Sequence, residues 1–285
     1  MNKSGEKNKI SRRRAEIMLV AATFFWGWTF PVVREAVAGT PVFAFLALRF
    51  ALAAAFMTPF VRRPPPLRAW RFGGALGALL FLLFALQTWG LVFTSSANSA
   101  FITGLNVIWV FLLTPGGRRR GWLPLPPALA GLWLLTAPEA GAFNFGDFLT
   151  LLCSLCVAMH ILLLARMDAS RDSGELALIQ FLVVAAASAA LSAATETFSR
   201  ELDGDLIFAL LLTAGGATVF SFWVQTHFQR YTTARRAGLI FICEPLFAAV
   251  FAAGFYGETL PAAAWPGAVL MLSAMLWAVW RGEKA

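Results

Sequence analysis

Residues 237–256, AGLIFICEPLFAAVFAAGFY, carry a single charged side chain, Glu244, in twenty positions. At a helical rise of about 1.5 Å per residue the stretch is about 30 Å long, which is the thickness of the hydrocarbon core of a bilayer. Similar stretches recur from end to end, at 15–33, 41–61, 72–93, 97–114, 121–137, 147–165, 176–195, 206–228 and 260–280. In lipid a backbone has to satisfy its own hydrogen bonds, so such stretches are helices or a closed barrel. They show no strand-type alternation, which leaves helices. The whole 285-residue chain is 59% hydrophobic and 13% charged, against roughly a quarter charged in a soluble domain, and its mean hydropathy is +0.71. The sequence therefore predicts an all-α integral membrane protein with ten transmembrane helices. The least regular span, 121–137, has Pro124, Pro126 and Pro127 near its start, where a first helical turn tolerates proline.

The basic residues fix an expected orientation. One face of the ten-helix chain holds Lys3, Lys7, Lys9, Arg12, Arg13 and Arg14, then Arg62, Arg63, Arg68 and Arg71, then Arg118, Arg119 and Arg120. Further along it holds Arg166 and Arg171, Arg230, Arg235 and Arg236, and finally Arg281 and Lys284. The other face holds Arg34 and Arg200, and Arg49 lies within a span. Excess Lys and Arg mark cytoplasmic loops, so both termini are expected in the cytoplasm. A miscounted span would invert every later loop. The same spread argues against nucleic-acid binding despite a net charge of +8, because the charge lines a membrane face rather than a groove. Residues 1–14 read as a basic cytoplasmic tail and 281–285 as a second tail. No signal-peptidase-like site closes the first apolar stretch, so it reads as a retained helix.

The two halves resemble each other. Gln87-Thr88, Phe93-Thr94-Ser95 and Asn106 are matched by Gln225-Thr226, Tyr231-Thr232-Thr233 and Glu244 at one constant offset of 138 residues. Arg49-Phe50 corresponds to Gln180-Phe181, Trp28 and Arg34 to His160 and Arg166, and Gly131 to Gly267. The expected units are 15–137 and 147–280, each of five helices. An odd number of helices makes the second unit enter the membrane from the opposite side, and inverted repeats of this kind place a substrate site near the midplane between the halves.

Trp26-Gly27-Trp28-Thr29-Phe30-Pro31, Leu48-Arg49-Phe50, Gln87-Thr88 through Asn106, Glu244-Pro245 and Gly257-Glu258 together resemble the drug/metabolite transporter superfamily, specifically its ten-helix EamA-type members. The resemblance covers nearly the whole chain after the N-terminal tail. The first half departs from the repeat by having Arg119 and Arg120 where Gly257 and Glu258 stand in the second. The resemblance implies two five-helix bundles around a central cavity, and export of amino acids, related metabolites or toxic small molecules.

Candidate substrate-binding residues follow from polarity inside the membrane. Glu244 lies about 10 Å into its span, and Pro245 deprives the Phe241 carbonyl of its usual donor. A carboxyl there is placed to bind a substrate ammonium or to take a proton for coupling, or else it pins a kink. Arg49 either holds a substrate carboxylate bidentately or clamps a helix end or a carboxylate such as Glu244. Asn106 and Gln180 occupy the repeat positions of Glu244 and Arg49. Amides in membranes usually bond between helices, which is also the reading for Gln87 and Gln225. His160 is a proton relay or a satisfied packing residue, and His227 is expected at the membrane interface. Trp26, Trp28 and Trp109 are candidates for stacking on a substrate, whereas Trp70, Trp122, Trp265 and Trp280 sit near span ends, where aromatic belts belong. Gly73, Gly74 and Gly77 point to close helix packing. Cys153 and Cys156 form a C-x-x-C inside an apolar helix and read as small packing residues.

Other activities lack their signatures. The sequence contains no G-x-S, no H-E-x-x-H and no G-x-x-x-x-G-K-[ST], so neither an intramembrane hydrolase, a zinc protease nor a P-loop ATPase is indicated. No cofactor and no metal site is expected. The expected partners are a small-molecule substrate and the lipid bilayer, with no nucleic acid. The reading is a non-enzymatic secondary transporter of the bacterial cytoplasmic membrane. It exports small metabolites such as amino acids or related solutes by alternating access. The alternatives are efflux of drug-like amphipathic cations and a non-transporting membrane scaffold.

Overall fold

The computed structural model describes residues 10–61, 64–114, 122–136, 143–167, 171–197, 203–255 and 262–280. Among them run thirteen α-helices, which join into ten rods. In the first half these are α1 (Arg12–Gly39), α2 (Val42–Met57), α3 (Leu67–Gly90), α4 with α5 (Ser96–Gly104 and Asn106–Leu113) and α6 (Leu125–Thr136). In the second they are α7 (Phe145–Leu164), α8 (Ser173–Thr195), α9 with α10 (Gly204–Leu211 and Ser221–Phe228), α11 with α12 (Ala234–Phe241 and Cys243–Phe255) and α13 (Ala264–Trp280). A π-helical stretch, Leu212–Phe220, joins α9 to α10. Seven rods are long and apolar enough to cross a membrane, and the remaining three are shorter apolar helices. The regular structure of the described residues is thus all helical, and the chain is a membrane protein of the predicted class.

Local chemistry sets the ends and the breaks. Ser11, Ser95, Asn144, Asp172, Asp203 and Thr233 each accept a backbone N–H of the helix they precede, filling donors that a helix start otherwise leaves open. The fourth and ninth rods are both interrupted near their middles, at Leu105 (φ −65°, ψ −7°) and Ile242 (φ −61°, ψ −17°). The causes differ. Asn106 turns its amide back to donate to the Thr103 carbonyl at 2.8 Å, taking an acceptor from the backbone ladder. In the ninth rod Pro245 brings no N–H at all.

The packing is symmetric under exchange of the halves. α2 lies on α8 and α6 on α13, each against its own repeat partner. α1 packs on α12 as α7 packs on α4 and α5, and α3 packs on α7 as α1 packs on α10. Gly131 and Gly267, matched in the sequence, meet face to face. A Cβ on Gly267 would lie 2.6 Å from the Leu135 nitrogen and 2.7 Å from the Gly131 carbonyl oxygen. Gly27 allows the same closeness between α1 and α12, where a Cβ would fall 2.7 Å from the Glu244 carbonyl oxygen. Of the three glycines singled out in α3, Gly73 and Gly77 press on Ile179 and Val183 of α8, and Gly74 faces open space.

Two placements correct the sequence reading. Arg34, expected in a loop, lies on α1, which continues through Pro31 to Gly39. Arg235 and Arg236, expected in a cytoplasmic segment between spans, belong to α11 and are buried. Arg236 pairs with Glu16 of α1, also buried, and Thr232 donates to the same carboxylate oxygen at 2.9 Å. Arg235 donates to the Thr114 carbonyl at 2.9 Å and lies against the rings of Phe111 and Trp122. Runs of Arg at a span end look solvated in a sequence, and the buried acceptors come from residues more than a hundred positions away. Lys3, Lys7, Lys9, Arg62, Arg63, Arg118, Arg119, Arg120, Arg200, Gly257, Glu258, Arg281 and Lys284 lie outside the described residues.

Two measurements check this packing. Gly267→Val forces backbone apart and should abolish the monodisperse peak in detergent size-exclusion chromatography, whereas Gly74→Ala should leave it unchanged. Arg236→Ala strands a buried carboxylate, at a cost of about 3–5 kcal/mol, and should lower the Tm in detergent. Pairing Glu16→Leu with Arg236→Leu should recover most of that loss.

Candidate functional site

A cavity lies among α1, α3, α4, α7, α10 and the α11–α12 break, with Arg49 contributed by α2. The space open to the centre of a water molecule is about 60 Å³, several times the roughly 10–15 Å³ that one water needs. Its polar wall includes Arg49, Gln87, Thr103, His160, Gln225 and Glu244, and its aromatic wall comprises Trp26, Phe30, Phe84, Phe222 and Phe241. Both halves of the chain contribute to each wall.

The π-helical stretch arms one side of this cavity. Widening a helix to five-residue hydrogen bonds leaves carbonyls without their usual donors, and such stretches recur at functional sites. Here the Ala217 carbonyl accepts from the Trp26 indole at 2.9 Å, and the Thr218 hydroxyl accepts from Arg49 Nε at 2.9 Å. Ser221 closes the stretch with bonds to the Gly216 carbonyl at 2.9 Å and the Ala22 carbonyl at 3.2 Å. At Gly216 a Cβ would lie 2.6 Å from the Phe25 ring, so any larger residue would displace that ring. The Arg49 guanidinium rests 4.5 Å from the Phe84 ring centroid and 5.4 Å from that of Phe50, a cation–π arrangement that compensates burial in part. Arg49 is thus tied to the Thr218 hydroxyl within the eighth rod, and among the described residues neither to a helix-end carbonyl nor to Glu244.

Glu244 is the second residue of α12, where the positive end of a helix dipole favours an anion. Among the described residues its carboxylate makes no hydrogen bond and no ion pair. His160 Nε2 and Gln180 Oε1 are 2.8 Å apart. Gln180 donates its own Nε2 to the Leu176 carbonyl at 3.1 Å, so its oxygen faces the ring and the imidazole Nε2 is the donor.

Of the eight residues singled out in the sequence, Trp26, Arg49, His160 and Glu244 line the cavity. Gln180 stands behind the wall as the orienter of His160. Trp28 is turned away, because positions two apart on a helix point about 200° apart. It stacks on Phe251, with centroids 4.9 Å apart, and on Phe255. Trp109 donates to Ser154 at 3.0 Å, and Asn106 is buried in its own backbone contact. Neither lines the cavity. His227, expected at an interface, is half-buried and stacks on Trp223 at 5.3 Å.

The sequence reading passed over several lining residues. Gln87 and Gln225, read there as interhelical amides, both line the cavity, and Gln87 also bonds between helices, donating to Thr103 of α4 at 3.2 Å. Thr29, Phe30 and Val33 do so with Trp26, and their spacing of three, four and seven residues is one helical face. That period was legible once Trp26 was placed. Thr218 left no such signal, because its role depends on the π-helical register.

Comparison with known proteins agrees with this fold. The model of the EamA-like transporter family matches residues 13–115 and 144–280, and the chain belongs to that family. It is 29% identical over 283 residues to an "uncharacterized transporter" of Archaeoglobus fulgidus, an alignment covering 97% of this chain and 89% of that one. A protein of known crystal structure shares the fold at a TM-score of 0.78, with 18% identity, 95% of this chain covered and 98% of the other. The chain is a multi-pass membrane transporter.

Thr218→Val keeps the shape of the side chain and removes the acceptor of Arg49 Nε. Losing a hydrogen bond to a charged group costs about 1.5–3 kcal/mol, so thermal unfolding in detergent should shift down, and Thr218→Ser should restore it.

Proposed function

We propose that this transporter is a secondary exporter of small zwitterionic metabolites, with amino acids and related solutes as its class, working by alternating access through the central cavity. The observation that carries the reading is the charge of the wall. Arg49 and Glu244 line one small cavity, and among the described residues neither is paired with an opposite charge. Ionisable groups are expensive in a membrane interior and mark substrate or ion pathways there. A solute with one ammonium and one carboxylate complements both, with the ammonium at Glu244 and the carboxylate at Arg49, where a guanidinium offers a fork of donors. The aromatic wall then takes the apolar part of the solute.

Glu244 serves as the coupling group in this reading. Its carboxylate holds either a proton or the substrate ammonium, so one is exchanged for the other across the membrane. The inverted repeat supports alternating access, since rocking one half against the other exposes a midplane site to each side in turn. The placement is the bacterial cytoplasmic membrane with both termini inside, and the bias of basic residues to one face supports it.

The test is uptake into proteoliposomes across a panel of labelled amino acids. Saturable uptake is expected, accelerated by unlabelled substrate inside (counterflow) and by an acidic interior, which lets protons leave as substrate enters. Glu244→Gln should lower uptake at least about tenfold and remove its response to the pH gradient, by loss of a charge-assisted contact. A Glu244→Gln protein that transports like the wild type with the same pH response would remove the coupling role.

A further inference from the structure

The cavity wall contains an amide whose orientation is settled by bonds outside the cavity. Gln229, just past the end of α10, donates its Nε2 to the Ile161 carbonyl of α7 at 2.6 Å. A carbonyl can be met only by the nitrogen of a carboxamide, so the oxygen of Gln229 faces the other way. That oxygen accepts from Gln225 Nε2 at 3.1 Å. With its nitrogen committed to Gln229, Gln225 is left with its oxygen as the free end. Gln225 is 2% exposed, and its Oε1 is cut off from solvent without a partner among the described residues. A buried acceptor of this kind is costly unless something fills it.

The surroundings repeat the same polarity. Gln225 lines the cavity together with Glu244 and His160. Glu244 as a carboxylate is acceptor-only, and His160, whose Nε2 is the donor toward Gln180, keeps Nδ1 as an acceptor when the ring is neutral. Residues of α7, α10 and α12 that line one cavity thus each carry an acceptor without a partner among the described residues. A primary ammonium brings three N–H donors, whereas a quaternary ammonium of the same charge brings none.

We infer that Gln225, oriented by Gln229, forms with Glu244 an acceptor-only subsite that selects a primary ammonium group over its N-methylated forms. This rests on the proposed transport of ammonium-bearing solutes and adds to it a rule of discrimination. Gln225 touches the substrate in this account, and Gln229 is a positioning residue that keeps the amide of Gln225 from turning over.

The experiment is counterflow of labelled amino acids in proteoliposomes, each competed by its unlabelled form and by its own N-trimethyl derivative. In the wild type the trimethyl compound should need at least about tenfold more concentration to compete, as loss of hydrogen bonds to a charged group predicts. Gln225→Met keeps the length of the side chain without the acceptor. It should raise KM for the primary amine about 10- to 100-fold while leaving competition by the trimethyl compound nearly unchanged. Gln229→Leu, with Gln225 intact, should erode the same preference. Wild-type competition that is equal for the two forms overturns the inference, even if neither variant folds. So does a folded Gln225→Met protein that keeps the full preference. If the wild type carries primary and trimethyl amines alike, only the subsite falls, whereas a wild type that carries no member of the panel sinks both it and the parent reading.

Discussion

A helix inside a bilayer has to keep its backbone hydrogen bonds closed, because lipid offers neither donors nor acceptors. The places where this chain breaks that rule are therefore places where protein must surround the backbone. Three of them lie beside the cavity: Leu105, Ile242 and the π-helical stretch Leu212–Phe220. The residues beside them supply Thr103, Phe241, Glu244 and Phe222 to the cavity wall, and Trp26 and Arg49 are held by Ala217 and Thr218. The cavity is in this sense a consequence of the interruptions. Irregular backbone supplies polarity that regular helices would hide, and the packing of ten rods shields it from lipid.

The halves share an arrangement of rods without sharing the chemistry of their breaks. Asn106 and Glu244 are repeat partners, yet the first satisfies its own backbone while the second faces the cavity. The π-helical stretch lies in the eighth rod, and the related third rod, α3, is α-helical throughout. Duplication followed by divergence therefore leaves a symmetric scaffold with an asymmetric lining, in which the second half contributes the carboxylate and the first the guanidinium.

Much of the fold could be read from the sequence. Hydropathy supplies the rods, and the matched pair Gly131 and Gly267 proved to be a contact as well as a correspondence. The site was legible only in part. Trp26, Arg49, His160 and Glu244 stand out as polar or aromatic groups in apolar spans, and all four line the cavity. Trp28 and Trp109 carry the same compositional signal but point elsewhere, because facing depends on where around the helix a residue falls. Buried Arg235 and Arg236, and the acceptor Thr218, were hidden for another reason. Their partners are distant in sequence, and nothing in the local pattern separates a buried arginine at a helix start from a solvated one.

The two ends of the bundle are fastened by different chemistry. At the end that carries the start of α1, the carboxylate of Glu16 meets the guanidinium of Arg236, a bond between two side chains from opposite halves. At the other end, Glu196 beyond α8 accepts the backbone N–H groups of Phe43 and Ala44 at 2.9 and 2.8 Å, again joining opposite halves. Parting the first leaves two naked charges that have to be hydrated together. Parting the second leaves one charge and the open N–H groups of a helix start, which water can meet. The fastenings would thus answer differently to their surroundings. Added salt reaches the partly exposed Glu196 carboxylate, while the buried Glu16–Arg236 pair is screened little by bulk ions.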